Sequence, residues 1–175
     1  MRRCVWALLA SLAPAGCAAD READDYTAYF DSDFRTWTGA GPAALSGQVA
    51  YRTADGRTLT CAGGSVMLLP ASGYNLDAEQ SFSAGQGFPA NYDRNAYKFV
   101  RETPCDGGGR FKFDGLPAQN WIVLARVTWQ EPAPSYEFWK TDDTQKGGYL
   151  FREILLDAGS NAVVLSNREF VEDKN

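Results

Sequence analysis

Two pairs of acidic residues in the second half of the chain have the side chains best suited to acid–base or metal chemistry. Glu131 and Glu137 lie on either side of a proline-containing stretch, and Asp142 is followed directly by Asp143. Paired carboxylates can hydrolyse a glycosidic bond, and carboxylate oxygens on a flexible loop can bind Ca²⁺. The Asp142–Asp143 run lacks the alternating acids and the closing glutamate of an EF-hand, and solvated surface acids are the common case. We therefore predict no catalytic residues and no metal site here.

The chain contains no histidine. Histidine is the side chain whose ordinary pKa lies nearest neutrality, so it is the usual general base. Its absence excludes a Ser–His–Asp or Cys–His arrangement and any zinc or copper site with histidine ligands. Ser65 follows two glycines but has no imidazole to activate it, so we interpret it as a turn residue. The sequence favours a protein that is not an enzyme and needs no cofactor.

Aromatic side chains in two predicted loops are the better candidates for a binding site. A first group lies in or beside residues 71–95, and a second group flanks residues 131–148. If both loops lie at one end of the fold, their side chains would form a patch able to bind peptide, glycan or a partner protein. The alternative is that several of them cover the open end of the core. The two groups comprise Tyr74, Phe82, Phe88, Tyr92 and Tyr97, and Trp129, Tyr136, Phe138 and Trp139.

The elements that would position these residues are short strands separated by glycine and proline turns. The patterns predict strands at residues 45–51, 65–69, 96–101 with a continuation to 104–105, 110–113, 121–129, 149–156 and 162–165. The longest, Trp121 to Trp129, is the best candidate for the centre of a sheet, with Trp121 and Val123 on one face and Ile122 on the other. Residues 71–95 show little periodicity and are predicted to be an ordered or functional loop without regular structure. About seven such strands indicate an all-β Greek-key sandwich.

Composition limits the classes of partner. The chain carries 17 Lys and Arg against 22 Asp and Glu, a formal net charge of -5. Nucleic acid and anionic lipid headgroups are bound by basic surfaces, so this balance argues against both as partners, and membrane attachment would depend on an acyl anchor.

The first residues are typical of an export signal. Arg2 and Arg3 precede a short apolar run from Val5 to Leu12, which is too short to span a bilayer. The following Pro14–Cys17 segment resembles the lipobox of bacterial lipoproteins, although Pro14 stands where a branched apolar residue is usual. This resemblance implies that Cys17 receives an acyl anchor, and Ala18 implies transport to the outer membrane, facing the periplasm. Ordinary secretion is the alternative.

Two cysteines remain once Cys4 leaves with the signal and Cys17 is acylated. Cys61 and Cys105 each lie beside a predicted strand, and an oxidising compartment favours a disulfide between them. A metal or redox role would need more ligands or a close Cys-x-x-Cys pair, and neither is present. We predict the domain organisation as a signal peptide at 1–16, a lipidated tether at 17–42, a sandwich at 43–167 and a polar tail at 168–175. The aromatic residues of the tether could form a short helix lying on the domain.

The strand motifs resemble those of a known family. Residues 62–70 read Ala-Gly-Gly-Ser-Val-Met-Leu-Leu-Pro, and residues 109–117 read Gly-Arg-Phe-Lys-Phe-Asp-Gly-Leu-Pro. Both are similar to segments of carboxypeptidase regulatory-like domains, which share a transthyretin-like sandwich; Gln119 and Trp121 replace the family's usual Gly and Tyr. The resemblance covers residues 45–165, interrupted at residues 71–95, and implies a non-catalytic accessory module. The sequence as a whole predicts an envelope lipoprotein with a binding or scaffolding sandwich. A carboxylate-dependent hydrolase of glycan or peptide, or a ligand carrier, are the alternatives.

Overall fold

The computed structural model describes residues 27–86, 92–131 and 144–173, and it shows the predicted β-sandwich. The strands are β1 (Ala43–Val49), β2 (Tyr51–Arg52), β3 (Thr58–Leu59), β4 (Ser65–Pro70), β5 (Arg101–Pro104), β6 (Arg110–Leu116), β7 (Asn120–Glu131), β8 (Thr144–Leu155), β9 (Gly159–Leu165) and β10 (Phe170–Glu172). A three-stranded sheet has the order β6-β1-β9, and a five-stranded sheet has the order β10-β8-β7-β4-β5. Strand β1 pairs with β6 antiparallel and with β9 in parallel.

Strand β7 is the middle strand of the larger sheet, as its sequence predicts. Trp121, Val123 and Val127 face the smaller sheet and are fully buried or nearly so. Ile122 and Leu124 point to the opposite face, where they are also buried. Because both faces are covered, the strand reads as an almost continuous apolar run rather than as an alternating one.

A helix covers the outer face of the larger sheet, which corrects the prediction of an irregular loop at 71–95. Helix α1 (Gly73–Ser83) packs Leu76 and Phe82 against the cluster that contains Ile122 and Phe151. Its N-cap is Ser72, whose hydroxyl accepts a hydrogen bond of 3.3 Å from the backbone N–H of Asn75. The helix is weakly amphipathic, so this cap and its tertiary contacts define it more than any apolar periodicity does.

The strand predicted to start at Ala96 and continue to Pro104 is correct only in its second half. Residues Arg94–Phe99 form a 3₁₀ helix, and β5 begins only at Arg101. The carboxylate of Asp93 accepts a hydrogen bond of 2.8 Å from the backbone N–H of Asn95 at the start of this turn. Such local side-chain capping favours a turn over an extended strand.

The described part of the predicted tether belongs to the folded domain. Residues Asp31–Trp37 form a 3₁₀ helix that lies on the sandwich, and the Phe34 side chain is completely buried. The indole N–H of Trp37 donates a hydrogen bond of 2.6 Å to the carbonyl oxygen of Asn120. This helix agrees with the prediction that the aromatic residues of the tether form a short helix lying on the domain. It does not agree with a tether that extends to residue 42.

The polar-tail prediction fails at the other end of the chain. Strand β10 pairs antiparallel with β8, with Phe170 opposite Leu150. A short 3₁₀ turn, Asn167–Glu169, precedes it and is fixed by a capping box between Ser166 and Glu169.

Strand β8 begins at Thr144, five residues before the predicted start. None of the helices in the described ranges combines the length and apolar character needed to span a membrane.

Gly148 is required where β10 pairs with β8. A Cβ atom at residue 148 would lie 2.5 Å from Cζ of the Phe170 ring, and it would lie even closer to the carbonyl oxygen of Val171. We therefore expect Gly148→Ala to lower the free energy of unfolding by about 1–3 kcal/mol, the usual cost of overpacking. Urea denaturation would measure the loss. The matched control is Gly107→Ala, because a Cβ there meets no atom within 4 Å; equal losses in the two variants would contradict the explanation.

Candidate functional site

Six aromatic residues from separate segments form one cluster beside the sandwich, here called the tyrosine cluster. Its rings come from the first 3₁₀ helix and the segment before it, from α1, and from the second 3₁₀ helix and the segment before it. Phe34 stacks on Phe99 with ring centroids 4.6 Å apart, and Tyr74 contacts both Tyr29 and Tyr92. The members are Tyr29, Phe34, Tyr74, Tyr92, Tyr97 and Phe99.

Buried polar contacts fix the inner part of the cluster. The side chain of Asn75 is almost fully buried and donates a hydrogen bond of 2.8 Å to the carbonyl oxygen of Pro70. Its side-chain oxygen accepts a hydrogen bond of 2.8 Å from the hydroxyl of Tyr92. The hydroxyl of Tyr74 accepts a hydrogen bond from the backbone N–H of Asp93. With these partners in place, the two tyrosine rings are held in fixed orientations.

Tyr97 forms the exposed edge of the cluster. Its side chain is 55% exposed, and its ring lies edge-on to Tyr92 with centroids 5.7 Å apart. The neighbouring Lys98 forms an exposed ion pair of 2.6 Å with Asp31, which joins the two 3₁₀ helices. The surface therefore offers an aromatic ring on a rigid base together with a charged donor and a charged acceptor. Rings of this kind bind the apolar faces of ligands, while the charged groups bind their hydroxyls.

The electrostatics of the cluster follow from burial and from the ion pair. Burial raises the pKa of the Tyr92 hydroxyl well above its usual value. The hydrogen bond from Lys98 lowers the pKa of Asp31, and the same bond raises the pKa of Lys98. Burial, and then the hydrogen bond to Asp31, raise the pKa of Tyr29. At neutral pH the hydroxyls of Tyr29 and Tyr92 are therefore neutral hydrogen-bonding groups, and Asp31 and Lys98 are charged.

A groove with both polar and apolar walls includes Arg101, two residues after Phe99 of the cluster, where the chain enters β5. It runs between the edge strands β5 and β6 and has a volume of about 600 Å³. The guanidinium of Arg101 donates a hydrogen bond of 3.2 Å to the carbonyl oxygen of Gly39 at one end. Lys112 and Asp114 also line the groove and form an ion pair of 2.9 Å. Donors and acceptors are thus balanced in charge along the groove.

The aromatic residues predicted as an exposed patch are divided by the structure. Tyr74 is 2% exposed, so its ring is not available to a ligand. Phe82 packs edge-on against Tyr149 and Phe151, with centroids about 5 Å away, and so covers the core. Tyr92 is half-buried and supports the exposed Tyr97. Four more residues of the prediction, Phe88, Tyr136, Phe138 and Trp139, lie outside the described residues.

Other aromatic and chemical candidates have structural contacts. Trp129 stacks on Tyr51 with centroids 5.5 Å apart at the end of the sandwich. Ser65 donates a hydrogen bond from its hydroxyl to the carboxylate of Glu102. Glu131 is exposed at the end of β7, whereas Cys17, Glu137, Asp142 and Asp143 fall outside the described residues. Within the described ranges, no three His, Cys, Asp or Glu side chains come close enough together to hold a metal ion.

The predicted disulfide between Cys61 and Cys105 is confirmed. The two Cα atoms are 5.7 Å apart, and both side chains are buried. The backbone N–H of Cys105 also donates a hydrogen bond of 3.0 Å to the carbonyl oxygen of Gly64. The disulfide therefore joins the segment that leads into β4 to the residue that follows β5.

Several residues of this surface have no direct signal in the sequence. Asp31 and Lys98 are 67 positions apart, and each is an ordinary surface charge in its own segment. Asn75 lies in a segment that shows no periodicity, so its burial could not be predicted. Only the local Asp93–Asn95 pattern, an acid just before a turn, could have located the second 3₁₀ helix.

Comparison with known proteins shows a shared fold. No protein-family model matches the chain, and no curated protein matches it. Among solved structures, it resembles the crystal structure of a Pseudomonas aeruginosa protein that has been proposed to bind carbohydrate. The two chains are 21% identical with a TM-score of 0.66, and the match covers 82% of this chain and 100% of the other. At that identity the likeness establishes the fold of this chain, an all-β sandwich with few helices.

Proposed function

We propose that this protein is a cell-envelope lipoprotein whose sandwich binds glycans without chemical turnover. The exposed ring of Tyr97 is the observation that carries the proposal, because it packs edge-on against the fixed ring of Tyr92. The next residue, Lys98, forms the exposed ion pair with Asp31. The groove that includes Arg101 supplies further donors and acceptors of balanced charge. The structural neighbour proposed to bind carbohydrate supports the same class of ligand.

The physical chemistry of sugars favours this arrangement. A sugar ring presents an apolar face of C–H groups and an edge of hydroxyls, so it needs an aromatic surface and several hydrogen-bonding groups. Tyr97 supplies the first, while Lys98, Asp31 and the groove residues Arg101 and Asp114 supply the second. A preformed surface costs little conformational entropy on binding, and the contacts of Tyr74 and Asn75 hold this one in place.

Glycan binding is expected to depend on the ring of Tyr97. We expect the Tyr97→Ala variant to bind at least about tenfold more weakly, which corresponds to about 1.4 kcal/mol. Tyr97→Phe keeps the ring and should retain most of the affinity. The measurement is a screen on a microarray of neutral and acidic oligosaccharides, followed by calorimetric titration of the strongest binder.

The matched control is Leu155→Ala, which removes a side chain that is 63% exposed at the end of β8. Equal affinity in the wild type and in Tyr97→Ala would contradict the role of Tyr97. Failure of the wild type to bind any oligosaccharide of the array would contradict the proposed function. The bound oligosaccharide is then incubated with the protein and analysed by mass spectrometry, because cleavage products would favour the alternative of a hydrolase.

The anchor is a separate part of the proposal. We propose that Cys17 carries the acyl group and that Ala18 directs the protein to the outer membrane, facing the periplasm. The support is the lipobox-like segment that ends at Cys17. In cells fed a fatty-acid probe, labelling should disappear in Cys17→Ser, and persistence of the label would overturn the assignment.

The family is likewise a proposal. Residues 109–113, which resemble the carboxypeptidase regulatory-like signature, form the turn into β6 and its first half, with Phe111 and Phe113 buried on one face. Leu116 ends that strand and is buried too. These positions support a transthyretin-like module.

A further inference from the structure

The parallel strand β9 differs from the other edge strands of the two larger sheets. It is seven residues long, and its sequence Gly-Ser-Asn-Ala-Val-Val-Leu contains no charged residue and no proline. Its register with β1 is continuous from Ala43↔Gly159 to Val49↔Leu165, so no bulge interrupts it. Proteins usually protect an exposed edge strand against pairing with another chain by one of these devices.

The other three edge strands are protected in these ways. Strand β10 has only three residues, and β5 has four, among them Arg101, Glu102 and Pro104. Strand β6 presents three exposed charged side chains along its length, and its pairing with β1 shifts in register near Ala43. The contrast therefore lies in β9 and is not a general property of the sheets.

The free hydrogen-bonding groups of β9 can be assigned from its bonds to the neighbouring segment. The backbone N–H of Gly159 donates to Pro42, and the carbonyl oxygen of Leu165 accepts from Ala50. In a parallel ladder, alternate residues bond to the same neighbour. The odd-numbered residues therefore bond to β1, and the even-numbered ones, Ser160, Ala162 and Val164, direct their N–H and C=O groups to the open edge.

These even-numbered residues have no backbone partner among the described residues. Their side chains are all exposed, and that of Val164 is 55% exposed. Unpaired backbone groups along a flat, uncharged strand form a template for a further strand.

We propose that β9 pairs with β9 of a second copy of this chain, antiparallel about a two-fold axis at Ala162. In that register Ala162 lies opposite Ala162 of the second copy, and Ser160 lies opposite Val164. All the free N–H and C=O groups of both edges then pair, in about six hydrogen bonds. The result is one continuous six-stranded sheet across the dimer.

A second copy fits this edge because the strand is complementary to itself. A two-fold axis places the same strand on both sides, so a charged residue near the axis would face its own copy. Strand β9 has none, whereas the charges of β5 and β6 make those edges unsuitable for the same symmetric pairing. This dimer is independent of glycan binding, because β9 contributes no residue to the tyrosine cluster or to the groove.

Sedimentation of the purified full-length chain over a range of concentrations tests the proposal. We expect a monomer–dimer equilibrium, and we expect Ala162→Lys to weaken the dimer at least tenfold because two lysines would face each other at the axis. The matched control is Ser46→Lys. Ser46 pairs with Ala162 in the β1–β9 register, so the same charge is added one strand away from the axis.

A second variant covers the case in which Ala162→Lys does not fold, as judged by circular dichroism. Ala162→Pro removes a backbone N–H that faces the open edge and leaves the bonds of the odd-numbered residues to β1 intact; it too should weaken the dimer. A wild type that is monomeric at every concentration would overturn the proposal. So would a folded Ala162 variant that dimerises as the wild type does, or an equal loss in Ser46→Lys.

Discussion

Replacing Trp121 with alanine is expected to lower the free energy of unfolding by about 4 kcal/mol, within the usual range for a large buried aromatic residue. Its side chain is completely buried on the inner face of β7. Its indole N–H donates a hydrogen bond of 3.2 Å to the carbonyl oxygen of Pro117, so the substitution leaves that acceptor unpaired as well as leaving a cavity. Urea denaturation with linear extrapolation measures the change.

Trp129 provides the matched control for this prediction. It lies on the same face of the same strand as Trp121, but it is only half-buried and packs on Tyr51 and Phe170 at the end of the sandwich. Trp129→Ala should therefore cost clearly less than Trp121→Ala. Similar losses in the two variants would show that burial at the centre of the core is not what makes Trp121 important.

The sequence could predict the parts of the fold that depend on local patterns. The two faces of β7 follow from the two-residue period of any strand, and the turns that contain Gly56 and Gly109 occur where glycine marks them, with positive φ at both residues. Each of these features is specified within about a dozen residues. The pair Cys61–Cys105 spans 44 positions, but it follows from the count of cysteines left over after export.

The parts that could not be predicted depend on contacts between distant residues. Helix α1 has little amphipathic character, because its buried face includes the polar Asn75. The side chain of Asn75 is hydrogen-bonded to Pro70 and Tyr92, which the sequence does not reveal. The tyrosine cluster brings Phe34 and Phe99 together across 65 residues, which only the folded chain specifies. Strand β10 has three residues, too few for a recognisable period, and it forms because β8 supplies an edge.

In this chain, the residues that specify the fold are different from those that carry the proposed function. The residues that resemble the known family, such as Phe111 and Leu116, are buried and specify the sandwich. The residues that carry the proposed function, Tyr97 and Lys98, are exposed and belong to neither of the two motifs on which the resemblance is based. A fold can therefore be inferred from core positions while its ligand must be inferred from exposed ones.

Removing the disulfide is expected to cost about 4 kcal/mol in the free energy of unfolding. The bond links residues 44 positions apart, and a loop of that length restricts the unfolded chain by about this amount in the chain-entropy model. The double variant Cys61→Ala, Cys105→Ala replaces two buried apolar side chains with smaller apolar ones. Urea denaturation of the double variant beside the oxidised wild type measures the loss.

The denaturant slope distinguishes this explanation from a loss of native packing. Without the cross-link the unfolded chain exposes more surface, so the m-value of the double variant should rise along with the fall in stability. The wild type reduced with dithiothreitol should show the same rise, because it loses the cross-link but keeps both sulfur atoms in the core. A fall in stability with an unchanged m-value would place the effect in the native state, at the junction between β4 and β5. A loss below about 1 kcal/mol would show that the unfolded chain is already compact in this region.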